Sequence, residues 1–235
     1  MIVYSSTRTQ FVDDVRSNRI HKTIHSELQR KLLRRVSKSE VLAWRNSMHY
    51  MAHLLADEEL PADSNVCIEY AIPLTNKRVD FILAGQDADR NDTAVLVELK
   101  QWSEVESTKK DAIVRTTMGG AMVETRHPSY QAWSYVSLIR DFNVTVREEG
   151  ISLVPCAYLH NLDRRDVIEA PFYAEHIKKA PIFISDDAAR LAAFLKKNIR
   201  YGDINNLMYR IDNGKIRPSR TLADAVVSMM KGNQE

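Results

Sequence analysis

Three residues have the types and spacing to act together: Asp80 in "RVDFIL", and Glu98 and Lys100 in "VLVELKQW". Both runs are apolar and read as strands bound for a core. Side chains alternate along a strand, so Glu98 and Lys100 point one way while Val97 and Leu99 point into packing. An unpaired charge on a buried strand is costly. One relief is a Glu–Lys ion pair at the strand end, a common structural arrangement. Asp80, set mid-strand between Val79 and Phe81, also needs something positive beside it. The other relief is a cation. Two carboxylates converging at the ends of neighbouring strands suit a hard divalent ion, Mg²⁺ or Mn²⁺. A lysine ammonium next to them can orient a water or offset developing negative charge, which is the chemistry of phosphodiester hydrolysis.

These residues are positioned by elements that the apolar pattern predicts. Val41, Trp44, Met48, Met51, Leu54 and Leu55 mark one face of an amphipathic helix that ends before Pro61. Residues 66–72 and 78–85 form a hairpin across the turn "PLTNK", and 94–102 is a third strand. A loose region with Gly119 and Gly120 follows. Helical spacing returns over 127–142, with Pro128 fitting the first turn. Residues 151–160 make a fourth strand, and short helices are expected around 186–199 and 219–231. The order is helix, three strands, helix, strand, an α/β arrangement with a central mixed sheet flanked by helices.

The chain has 235 residues, 44% hydrophobic and 27% charged, which fits one large domain or one domain with appendages. Lys plus Arg number 33 against 31 Asp plus Glu, so net charge says little about partners. Local charge says more. The cluster "QRKLLRRVSK" sets Arg30, Lys31, Arg34 and Arg35 close together, either to bind phosphate backbone or as a solvated helix face. Residues 1–37 read as a basic extension, 38–200 as the main domain and 201–235 as a C-terminal extension or linker. Cys67 and Cys156 lie in apolar runs and read as buried hydrophobes. With no leader-like N-terminus and no membrane-length apolar run, the expected location is the reducing cytoplasm.

Asp80, seventeen intervening residues and then Glu98-Leu99-Lys100 resemble the PD-(D/E)XK nuclease superfamily, and the element order resembles its αβββαβ core. Val79 stands where the eponymous proline would be. Gln131 and Tyr135 in "QAWSY" resemble the Q-x-x-x-Y motif of RecB-like exonucleases, and their i, i+4 spacing puts both on one helix face. "IEYAIPLTNKRVDF", "VELKQW" and "HPSYQAWSY" further resemble the nuclease-like N-terminal domain of bacterial proteins that continue into a P-loop helicase. This resemblance covers roughly residues 38–160, plus the tail. No G-x-x-x-x-G-K-[ST] occurs in the chain, so a helicase domain is expected beyond residue 235 or in a partner chain.

The resemblance implies a metal-dependent nuclease acting on single- or double-stranded DNA. Asp80 and Glu98 would hold Mg²⁺ or Mn²⁺, with the Leu99 backbone carbonyl as a further ligand. Lys100 would assist attack by water, and Gln131 and Tyr135 would orient substrate or Lys100. Glu69, on the first hairpin strand, is a candidate third ligand or else a partner of Lys100 or Arg78. Glu40, at the start of the first helix, is a candidate on the superfamily pattern, although an acid there also suits the helix dipole. Trp102 is a candidate to stack on a base, with core packing as the competing role. Two rival readings remain: a domain that grips DNA without cutting it, and an interaction domain whose Glu98 and Lys100 are only an ion pair.

Overall fold

The runs "NVCIEYA", "RVDFILAGQ" and "DTAVLVELK" are apolar on both faces because helices cover both sides of the sheet they build. The structure, a computed structural model, describes residues 1–32 and 38–232, with side chains except at 31, 32, 38–40, 226, 227 and 230–232.

Strands β1 (Ile2–Thr7), β2 (Asn65–Ala71), β3 (Arg78–Gln86), β4 (Asp92–Lys100), β8 (Ser152–Leu159) and β9 (Ile182–Ile184) form a six-stranded sheet in the order β1-β2-β3-β4-β8-β9. The first four pair antiparallel, and β4-β8-β9 pair parallel. Strands β5 (Glu106–Ser107), β6 (Ile113–Met118) and β7 (Ala121–Arg126) form a separate three-stranded sheet.

Helices α1 (Arg8–Arg16), α2 (Ile20–Leu32), α3 (Lys38–Leu55) and α7 (Ala188–Asn198) cover one face of the large sheet. There Phe11, Ile24, Met51 and Leu195 pack against Val66, Phe81, Val97 and Tyr158. The crossover from β4 to β8 runs through the small sheet, α4 (Pro128–Phe142) and α5 (Val144–Glu148). On this second face Val136, Ile139 and Val146 pack with Leu207 and Ile211 of α8 (Leu207–Asp212) on Tyr70, Ile82 and Leu96. Two further helices, α6 (Ala174–Lys179) and α9 (Arg220–Gly232), complete the order. No helix among the described residues is long and apolar enough to cross a membrane. Cys67 and Cys156 are buried and free, as expected.

The α/β class, the mixed sheet and the hairpin stand as expected, but the boundaries do not. Residues 1–32 are not an appendage. Strand β1 extends the large sheet alongside β2, and Phe11, Ile20, Ile24 and Leu28 are fully buried in its core. The tail is also partly built in: Tyr201 bridges to Gln86, and Leu207, Met208 and Ile211 are buried. Gly85 permits this approach, since a Cβ there would lie 2.4 Å from the Tyr201 carbonyl oxygen. The region expected to be loose holds β5, β6 and β7, with Gly119 and Gly120 forming the β6–β7 turn at positive φ.

The Phe11 ring meets Phe81 edge-on at 5.5 Å between centroids. Phe11→Ala is therefore expected to destabilise the whole protein by roughly 3–5 kcal/mol, as for other buried aromatics. Urea unfolding checks this; a change below about 1 kcal/mol would restore residues 1–32 to the status of an extension.

Candidate active site

The large sheet forks between β3 and β4. Their ladder ends at Phe81↔Val97. Beyond it β3 stays paired to β2 as far as Arg78, and β4 stays paired to β8 as far as Lys100. Continuing the register sets Asp80 opposite Glu98 at the crotch of the fork, where cross-strand side chains are close neighbours. Asp80 Oδ2 accepts the Leu99 N–H at 2.8 Å, so a carboxylate takes the place of a ladder carbonyl.

The fork coincides with a backbone irregularity. Glu69 on β2 has φ of +56°, rare for a residue with a side chain. Strand alternation slips at the same level: Val79 packs with Ile82 and Ala84, while Phe81 and Leu83 pack on the opposite face. Such a conformation costs on the order of 1–3 kcal/mol and persists where neighbours enforce it. Here the Trp44 indole N–H donates to Glu69 Oε1 at 2.9 Å, and Arg78 Nε lies 2.9 Å from Oε2.

Glu98 is buried, and its Oε1 accepts two bonds, from Lys100 Nζ at 2.6 Å and Gln131 Nε2 at 2.5 Å. Gln131 Nε2 also donates to the Tyr135 hydroxyl at 2.8 Å. The i, i+4 pair on α4 thus faces the fork together. Glu98 Oε2 is buried and receives no N–H or hydroxyl donor among the described residues; the group it shares a proton with is the Asp80 carboxylate.

Burial, then the charge of Asp80, pushes the Glu98 carboxyl up to about 8 against the pull of Lys100. Burial also raises Asp80, with Lys100 and the Leu99 N–H acting the other way. For Lys100, burial opposes the ammonium, but Glu98 and Asp80 outweigh it and hold its pKa above the usual lysine value. Tyr135 is pushed up to about 12, by burial first and then by Glu98, so it is a neutral phenol at ordinary pH.

Two clefts open at the fork. One, of about 290 Å³ on the α4 side, is lined by Asp80, Glu98, Lys100, Gln131 and Tyr135 together with Lys77 and Arg78. The other, of about 750 Å³ on the α3 side, also reaches Glu69, Asp80 and Lys100.

Asp80, Glu98, Leu99, Lys100, Gln131 and Tyr135 therefore come together. Glu69 adjoins them but is engaged by Trp44 and Arg78, the second of which was foreseen as a partner. Among the described residues no group of three or more His, Cys, Asp or Glu side chains is placed to hold a metal ion. The donors that suit one are two carboxylates. Glu40 belongs to α3, but its side chain lies outside the described residues. Arg30 is on α2 and pairs with Glu27 at 2.7 Å. Lys31 is also on α2, with its side chain outside the described residues, as are Arg34 and Arg35 altogether. Trp102 is 8% exposed; it packs in a core with Val114 of β6 and residues of β8 and β9, and its remaining surface lines the larger cleft. The pattern of types did not reveal Trp44, since a tryptophan on an apolar helix face reads as core, nor Lys77, a turn residue.

No family model, no curated protein and no solved structure matches the chain.

The raised Glu98 pKa has a defined sign in stability. Between its ordinary value near 4.5 and about 8, the folded protein holds a proton that the unfolded chain releases. Stability from this group is thus full below 4.5 and declines as pH rises to about 8. In EDTA, the melting temperature of the wild type should fall more steeply from pH 5 to pH 8.5 than that of Glu98→Gln, which cannot ionise. Parallel curves would place Glu98 in an ordinary carboxylate environment.

Proposed function

We propose that the protein is a divalent-metal-dependent nuclease of the PD-(D/E)XK type, hydrolysing phosphodiester bonds in DNA. The observation that carries this reading is the facing pair Asp80 and Glu98 at the fork, with Lys100 bonded to one Glu98 oxygen and the other oxygen lacking a donor. Two buried carboxylates this close must share a proton, and a hard cation can take that proton's place. Asp80 and Glu98 would hold Mg²⁺ or Mn²⁺, with the Leu99 backbone carbonyl as a further ligand. The ion would polarise a phosphate and acidify a bound water.

The chain's own groups supply the remainder. Gln131 and Lys100 together hold Glu98 Oε1, which fixes the direction of Oε2. Lys100 lines both clefts, so its ammonium can orient water and offset charge developing on a phosphate. Tyr135 accepts from Gln131 and keeps its own proton, which it can donate to a phosphate oxygen. Lys77 adds positive charge to the smaller cleft, where Arg78 is paired with Glu69, and can meet a phosphate of the substrate.

The test is cleavage of single- and double-stranded DNA in Mg²⁺ or Mn²⁺. Lys100→Ala should lose roughly 10²–10³ in rate, the scale for one preorganised charge, and should melt lower than wild type without metal because Glu98 and Asp80 lose their counter-charge, while still binding Mg²⁺. Glu98→Ala should lose metal binding and cleavage together. A Lys100→Ala protein that cuts at the wild-type rate would leave Glu98 and Lys100 as an ion pair and end the assignment of cleavage to this motif; a wild type that cuts neither strand form would end the nuclease reading.

A further inference from the structure

The larger cleft has a composition that the hydrolytic groups do not explain. Its walls are apolar: Trp44 and Met48 from α3, Leu99 from β4, Trp102 just beyond it, and Met118 from the β6–β7 hairpin. Its floor is charged, because Asp80 and Lys100 line it as well. The volume of about 750 Å³ lies within the roughly 300–1,000 Å³ of pockets that enclose small organic groups.

Polar atoms are few and fixed. Gln101 Nε2 donates to the Ala43 carbonyl at 2.5 Å and to Ser47 Oγ at 3.0 Å, and Ser47 Oγ lies 3.0 Å from His160 Nε2. The Trp44 ring is held by its bond to Glu69, and Lys100 Nζ stands 5.6 Å from the centre of the Trp102 ring. One wall differs from the rest. Met118 is 46% exposed and Met122, across the hairpin near its tip, is 37% exposed. A Cβ at Gly119 or Gly120 would meet nothing within 4 Å, so the turn stands clear of the body.

The occupant of such a cleft needs an apolar body and an anionic end that meets Lys100, and a cation held by the carboxylates, at the fork. A nucleotide has that form. We propose that the cleft walled by Trp44, Met48, Trp102 and Met118 receives an unstacked nucleobase whose phosphate lies at the Asp80–Glu98 fork. This rests on the phosphodiesterase reading and adds a substrate class to it. A base inside a duplex has its faces covered by its neighbours, and exposing them costs a few kcal/mol, least where the strand is already single. The favoured substrate is an unpaired strand or a frayed end. Met118 acts as a positioning residue on the open side, closing over the base.

The test separates base binding from cleavage. Short single-stranded oligodeoxynucleotides carrying one abasic site, moved stepwise along the strand, are titrated by fluorescence anisotropy in Ca²⁺. At one position the missing base should weaken wild-type binding by roughly 5- to 100-fold, the scale of a stacked base. Met118→Glu, at an exposed hairpin position that leaves the core intact, should weaken the intact strand and abolish the abasic penalty. Met118→Ala should do the same to a smaller degree. No abasic penalty at any position, a penalty unchanged in Met118→Glu, or no binding at all would each overturn the proposal. The same strands in Mg²⁺ report on the chemistry separately. Base-dependent binding without cleavage removes the nuclease reading and leaves the subsite, and cleavage without base dependence does the reverse.

Discussion

Like charges a few ångströms apart inside a protein repel strongly, and Asp80 and Glu98 are set that way at one level of a strand pair. Neighbouring groups answer that repulsion. Lys100 and Gln131 converge on one Glu98 oxygen, and the Leu99 N–H is spent on Asp80 instead of on a strand carbonyl. Even so, the balance stays on the acidic side, and Glu98 holds its proton into the neutral range.

Placing two carboxylates at that level requires the sheet to open there. A regular β3–β4 ladder would leave them no cleft. Glu69 supplies the departure with a left-handed residue inside β2, and the charged and aromatic groups that hold Glu69 also wall the site. Backbone strain and the candidate site share residues here. The bond from Trp44 ties α3 to the kink, and Arg78 ties the kink to the strand carrying Asp80.

The sequence made the pair and its amide readable for a physical reason. Charges interrupting apolar strands are conspicuous, and the i, i+4 spacing of Gln131 and Tyr135 is a local property of a helix. The buried faces of α3 and β4 were legible on the same grounds. The N-terminal segment misled because its basic residues dominate composition, while its contribution to the core rests on a few residues, Phe11, Ile20, Ile24 and Leu28, spread over two helices. Strands β6 and β7 were hidden for the opposite reason. Their burial pattern is mostly exposed, so the apolar alternation that marks a strand is weak. The kink at Glu69 leaves no mark in residue type, because a glutamate inside an apolar strand is equally consistent with a regular backbone.

The change from antiparallel to parallel pairing at β4 bears on how the site assembles in time. Asp80 and Glu98 are joined by a strand pair closed through the short loop Asp87–Asn91, whose ends are cheap to bring together. Gln131 and Tyr135 arrive only when the small sheet and α4 have folded back and β8 has docked beside β4. Non-local parallel pairing of that kind is slow. The acidic pair therefore rests on local contacts, whereas the amide and phenol that hold it rest on the non-local docking of the crossover.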